Sequence, residues 1–262
     1  MQRLFIAVTL LASLVLAGPV GAAEGDESIP SYLDNTAERY ASLARVIWEK
    51  PEVGYQEEES SRLLQSALAE AGFDIETQVA DIPTAFIASW GSGGPVIALL
   101  AEFDALPGIT QTDAPVREPR KGVHAGHACG HHLFGAGSVA AAVAVKRWLQ
   151  DRDIPGTVRL YGTPAEEGGS GKVYMVRAGL FDDVDAVLSW HPADRNSANP
   201  ATSLANKSAK FRYRGVSSHA AVAPERGRSS LDAVEAMNYM VNMMREHVPQ
   251  ETRIHYVITR GG

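Results

Sequence analysis

The segment from His124 to His132 reads HAGHACGHH and packs four of the chain's eight histidines and its only cysteine into nine residues. Imidazole nitrogen and cysteine thiolate are preferred ligands of Zn²⁺ and related first-row ions, so the segment reads first as part of a metal site. A polar loop that takes up metal adventitiously is the competing reading. A lone cysteine forms no internal disulfide, so Cys129 is a buried passenger, a nucleophile or a ligand.

More groups of the same chemistry stand at the ends of apolar, strand-like runs. PVIALLAEF is followed by Asp104, TVRLYGTP by Glu166 and Glu167, and DAVLSW by His191. In an open α/β sheet the functional crevice lies outside the carboxyl ends of the strands, which predicts that these four groups converge beside HAGHACGHH. Singly, each has an ordinary explanation: a helix cap, a solvated acidic pair, a turn at His191-Pro192. Their joint placement carries the argument. Adjacent glutamates in a turn can aim one carboxylate at a metal and the other at its bound water, whose pKa falls from ~15.7 to about 7. That carboxylate can take the water's proton as it attacks a carbonyl. A thiolate can share its charge between two ions, which suits a dinuclear site with a separation of about 3.5–4 Å. The alternative in which Cys129 attacks, with His131 as base, leaves Glu166, Glu167 and His191 without a role.

The elements that must position these groups are legible as periodicities. DNTAERYASLARVIWEKPE and EEESSRLLQSALAEAG have helical spacing. DIETQVA, TAFIASWG and PVIALLAEF read as strands, the last apolar almost throughout, as for a central strand covered on both faces. The helix LFGAGSVAAAVAVKRWLQ follows, then strand TVRLYGTP, helix KVYMVRAGLF and strand DAVLSW. Such alternation predicts an α/β domain with a largely parallel sheet. After the polar stretch NSANPATSLAN the rhythm changes to strand SAKFRYRG, helix SSLDAVEAMNYMVNMMREH and strand RIHYVITR, read as a smaller α+β domain beginning near Ser203.

Composition narrows the class. With 262 residues, 45% of them hydrophobic, the chain can build one large or two ordinary domains. A net charge of −7 without a basic cluster argues against a nucleic-acid partner. Arg3, the apolar run LFIAVTLLASLVLAG and the small residues of PVGAAEG have the form of a secretory signal peptide, assigned to residues 1–23. The apolar run is shorter than the ~20 residues needed to span a bilayer. A periplasmic or secreted protein is expected, with no membrane contact after cleavage.

HACGHHLFG, LLAEFDALPG, GTPAEEGGSGK, the His191-Pro192 pair, SSHAAVAPERGRSSLDA and WEKPEVGYQEEE together resemble motifs of a dinuclear metallopeptidase family. It includes aminoacylase, acetylornithine deacetylase and succinyl-diaminopimelate desuccinylase. The resemblance is closest to its amidohydrolase branch, which holds hippurate hydrolase, the plant indole-acetyl-amino-acid hydrolases and one of the aminobenzoyl-glutamate hydrolase chains. It runs from about Asn35 to Gly262. It implies an α/β catalytic domain of the phosphorylase/hydrolase-like zinc peptidase type over residues 24–202, and an inserted α+β lid over 203–262 that mediates homodimerisation. It also implies two divalent ions, Zn or Mn, and hydrolysis of amide bonds in N-acyl amino acids, dipeptide-like or aminobenzoyl-glutamate-like small molecules.

Carried over residue by residue, the resemblance makes Cys129, His131, Glu167 and His191 metal ligands and Glu166 the general base. Asp104 would orient a ligand histidine, and His219 would reach from the lid to the substrate carbonyl. Two departures stand out. Many members of the branch read CGHDGH where this chain reads CGHHLF, which makes His132 a substitute partner or an extra ligand. The family's last ligand histidine also lies beyond the lid, in a return to the catalytic domain, and neither His247 nor His255 matches it. An inactive truncated pseudoenzyme, or a fragment that only binds metal or dimerises, is therefore the alternative expectation. Such a chain would expose apolar edges.

Overall fold

The computed structural model describes residues 28–198 and 202–261, so the expected signal peptide, residues 1–23, lies outside the described residues. The chain divides at Arg195–Asn196 into two compact units.

Two helices open the first unit. Helix α1 (Ser28–Glu49) buries Tyr40, Ala44 and Ile47, spaced so that one stripe faces inward. Helix α2 (Glu58–Glu70) buries Leu64 and Leu68. Its N-terminus is capped from outside: the Glu52 carboxylate accepts the N–H of Glu59 at 3.0 Å and that of Ser60 at 2.8 Å. Strands β1 (Asp74–Thr77), β2 (Phe86–Ser92) and β3 (Val96–Ala101) follow, then the short ribbon β4 (Leu106–Pro107) and β5 (Ala125–Gly126). Helix α3 (His131–Asp151), β6 (Gly156–Gly162), α4 (Gly171–Arg177) and β7 (Ala186–Leu188) complete the unit.

The main sheet has the order β1-β2-β6-β3-β7. The β6–β3 and β3–β7 ladders are parallel, while β2 runs against both β1 and β6. The largely parallel sheet expected from the alternation is thus a mixed one, with β2 reversed. Side chains alternate between two cores. Phe86, Ala88, Ala101, Val158 and Leu160 pack with α1, α2 and α3. Ile87, Ala98 and Tyr161 pack with Met175 of α4 and, beyond it, Leu180, Phe181 and Val184. This is the period of two that a sheet covered on both faces requires.

The apolar β3 run is not the most buried strand. Only Ala98 and Ala101 are fully buried in it, whereas β6 is buried at every position except Arg159. The reason lies in β7, which is three residues long and exposed throughout. A short edge neighbour covers little of β3, while β6 sits between two longer strands.

The second unit holds helix α5 (Ser230–Met244), capped by Ser229, whose Oγ accepts the Asp232 N–H at 3.1 Å. The two strands expected at 208–215 and 253–260 are not formed among the described residues; the unit shows one isolated bridge, Val216 with Arg228. A strand exists only through its ladder, and these alternating runs have no ladder partner here.

Candidate metal centre

The carboxyl ends of three adjacent strands and the start of α3 build one cluster. Past the end of β3 the chain continues through Glu102, Phe103 and Asp104. Residues i and i+2 of an extended segment point to the same side, so both carboxylates face α3. Helix α3 begins at His131 after Gly130, whose φ of +89° turns the chain between Cys129 and the helix. A Cβ on Gly130 would lie 3.0 Å from the Pro192 ring, so glycine is also what lets the His191 segment approach.

His131 is wholly buried between the two carboxylates. Its Nδ1 lies 2.8 Å from Asp104 Oδ1 and 3.1 Å from the Asp104 carbonyl oxygen. Both partners are acceptors, so Nδ1 carries the proton and Nε2 faces the cluster. This is the carboxylate–histidine arrangement that orients metal ligands. His191 has the same logic: its Nδ1 donates to the Pro192 carbonyl at 2.9 Å, and its Nε2 lies 3.4 Å from Cys129 Sγ.

Two triads of potential ligand atoms share His131. Atoms of Cys129, His131 and His191 lie within 4.8 Å of one another, as do atoms of Glu102, His131 and Glu166. Glu102 Oε2 comes within 3.0 Å of His131 Nε2. The approach nevertheless lacks hydrogen-bond geometry, and both atoms, with Glu167 Oε1, are buried without a hydrogen-bond partner. Buried polar atoms are normally hydrogen-bonded, so three ligand-type atoms without a hydrogen bond in one cluster, two of them held only as the Glu102–His131 ion pair, suit a divalent cation. The donor set of thiol, imidazoles and carboxylates suits it chemically.

Charges respond to this crowding. Burial opposes a charge on His131, but Asp104 and Glu102 outweigh it and raise its pKa to about 10. Burial likewise opposes ionisation of Glu102, yet His131 and Lys172, whose Nζ bonds its Oε1, hold the carboxyl below the usual range. The Cys129 thiol is pushed up to about 11, by burial and then by Glu167 and the other carboxylates. A divalent ion reverses that balance, because it favours thiolate and competes with the imidazole proton.

The Glu166–Glu167 pair hangs on the turn after β6. Asp104 Oδ2 accepts the Glu167 N–H at 2.9 Å, so one carboxylate braces both His131 and this turn. The Glu167 side chain lies beside Cys129. Glu166 is 45% exposed, with Oε2 3.9 Å from His131 Nε2. Its pKa is raised, by burial and then by the charge of Glu102.

The structure therefore brings together Asp104, Cys129, His131, Glu166, Glu167 and His191. His219 belongs to the second unit, where it is exposed and its Nδ1 accepts the Ala221 N–H at 3.2 Å. His132 is in neither triad. Its ring packs against His127 with centroids 5.1 Å apart. Burial first, then the charge of His131, lowers its pKa to about 4. Sequence reasoning missed Glu102 and Lys172. The available signal was an acidic residue at the tail of an apolar strand, two before Asp104.

A profile of the peptidase family M20/M25/M40 matches residues 98–253. The chain is 47% identical over 242 residues to a p-aminobenzoyl-glutamate hydrolase chain of Escherichia coli, covering 90% of this chain and 50% of that protein. It is 33% identical over 243 residues to Xaa-Arg dipeptidase of Mus musculus, covering 88% of this chain and 52% of that one. Among solved structures it resembles the Bacillus subtilis YXEP protein, a dinuclear metal binding peptidase, with a TM-score of 0.51 and 30% identity over 61% of this chain and 44% of that one. The chain spans about half the length of the curated relatives it matches.

Proposed function

The chain belongs to the M20/M25/M40 peptidase family, and from that membership we propose that it serves metal-dependent hydrolysis of amide bonds in N-acyl amino acids or aminobenzoyl-glutamate-like molecules. The observation that carries this reading is the cluster of Cys129, His131 and His191, with ligand atoms within 4.8 Å of one another at the strand ends, joined by buried carboxylate oxygens of Glu102 and Glu167 that lack a hydrogen bond. Cys129, His131, Glu167 and His191 would hold two divalent ions. A bound pair supplies Lewis-acid polarisation of a carbonyl and acidifies water.

The residues divide the remaining work. Asp104 keeps the proton of His131 on Nδ1, so the Nε2 lone pair is presented to the ion. Glu166 is the base: its partly exposed carboxylate stands at the edge of the cluster, with Oε2 3.9 Å from His131 Nε2. His219 is assigned to the substrate carbonyl and residues 203–262 to a lid that pairs two copies; support for both is the likeness of SSHAAVAPERG to the family's lid motif. Zn²⁺ is favoured by the Cys129 sulfur, with Mn²⁺ the carboxylate-compatible alternative. Export to the periplasm or medium, with the N-terminal segment removed, is supported by Arg3 and the apolar run after it.

The test is elemental analysis of the purified chain for Zn and Mn, with release of amino acid from a panel of N-acyl amino acids and aminobenzoyl-glutamate. The proposal expects bound metal and metal-dependent release of amino acid from at least one of these substrates. Stoichiometric metal without turnover on any substrate favours the non-catalytic, metal-binding reading. Absence of both removes the proposal.

A further inference from the structure

The turn that carries Glu166 and Glu167 rests on residues 51–57, the loop between α1 and α2. Glu57 ends that loop and is wholly buried. Its Oε1 accepts the backbone N–H of Ala165 at 2.8 Å, and its Oε2 accepts the Thr84 hydroxyl at 3.0 Å. Ala165 has φ of +57°, a left-handed conformation that a non-glycine residue keeps only where its surroundings impose it. The surroundings here are specific. A Cβ on Gly54 would lie 2.9 Å from Ala165 Cα and Cβ, so the loop approaches Ala165 as closely as glycine allows. Tyr55 donates its hydroxyl to the Gly169 carbonyl at 2.6 Å, closing the far end of the same turn. The loop also holds the other strand end, since the Ala105 N–H donates to the Glu52 carbonyl at 2.8 Å. One loop therefore braces the backbone beside Asp104 and the backbone before Glu166.

We propose that Glu57 is the positioning residue for the Glu166–Glu167 turn, holding Ala165 in its left-handed conformation so that the two carboxylates leave the backbone toward the metal centre. This rests on the reading that those glutamates serve a metal, and it extends the machinery to a residue that touches neither ion nor substrate. A carboxylate buried only to cap α2 would have no reason to reach Ala165. Helix capping is supplied by Glu52 instead.

The experiment compares Glu57→Gln, Glu57→Asp and Glu57→Leu in the 262-residue chain, by Co²⁺ titration and by hydrogen exchange of the metal-free protein. Glutamine keeps an oxygen for the Ala165 N–H; aspartate keeps the carboxyl group but withdraws the oxygen; leucine keeps neither. The expected result is Co²⁺ affinity close to wild type for Gln and about 10–100-fold weaker for Asp and Leu, the usual loss when an outer-shell partner is removed. Exchange of the 165–167 amides should quicken by on the order of tenfold in Asp and Leu, as for one buried hydrogen bond lost. Should the leucine variant not fold, the Asp and Gln pair decides. Wild-type affinity and exchange in Glu57→Asp would overturn the proposal, and so would equal losses in Gln and Asp. If the wild-type chain binds no Co²⁺, the metal reading fails, while the exchange data still decide whether Glu57 holds the turn.

Discussion

Replacing Asp104 with asparagine keeps its shape and changes one acceptor into a donor. The side chain is wholly buried, and its two oxygens accept from His131 Nδ1 at 2.8 Å and from the Glu167 N–H at 2.9 Å. The new NH₂ must face one of these donors. Facing Glu167, it orphans a buried backbone N–H, at a cost of about 1–3 kcal/mol. Facing His131, it drives the imidazole to the other tautomer, with Nδ1 as acceptor and the proton on Nε2. That orientation costs less in stability but turns an N–H toward the cluster, where a lone pair is needed. Asp104→Asn is therefore expected to take the second orientation, with a stability loss below the roughly 1–3 kcal/mol of the first and a metal affinity about 10–100-fold weaker. Urea denaturation and Co²⁺ titration measure the two effects separately. A folded Asp104→Asn protein with unchanged Co²⁺ affinity would refute the idea that this carboxylate sets the tautomer of a ligand.

Burial raises the Glu57 pKa from 4.5 to about 7, so its contribution to stability is full below about pH 4.5 and is lost as pH rises through 7, a change of about 3 kcal/mol. Glu57→Gln should cancel that slope and be the more stable protein above about pH 7; a stability difference that stays constant across this range in urea titrations would contradict it. Glu166→Gln should abolish hydrolysis while metal content is retained, whereas Glu167→Gln should lower metal affinity in elemental analysis; the reverse pattern would exchange their roles. Gly130→Ala places a Cβ at φ +89° and 3.0 Å from the Pro192 ring, and should cost at least about 1 kcal/mol in denaturation; an unchanged midpoint would show that the turn adapts.

Much of the centre was legible because its chemistry sits where topology gathers it. Asp104, Glu166 and His191 each follow a strand, and parallel neighbours deliver their carboxyl ends to one edge whatever the details of packing. Glu102 was not legible because it reads as the tail of an apolar run, and only the sheet order shows that it faces His131. The reversed β2 was hidden because the strand–helix alternation that predicts parallel pairing begins only after β3, whereas β2 pairs antiparallel with β6, which is distant in sequence and inserts between β2 and β3. Conversely, the histidines of the dense segment do not all gather at one point: His127 and His132 pack ring against ring, with centroids 5.1 Å apart, and belong to neither triad. In the second unit, alternating sequence suggested strands, but alternation specifies a face and not a partner.

The proposed function stands or falls with Cys129 and its neighbours holding a divalent ion at the strand ends. Co²⁺ titration of the wild-type chain and of Cys129→Ala, read by absorption and by elemental analysis, decides whether they do. Up to two bound ions are expected, with a thiolate-to-cobalt charge-transfer band in the wild type, and with loss of both the band and part of the metal in the variant. A wild-type protein without that band, or a folded variant with unchanged metal content, would take Cys129 out of the metal centre.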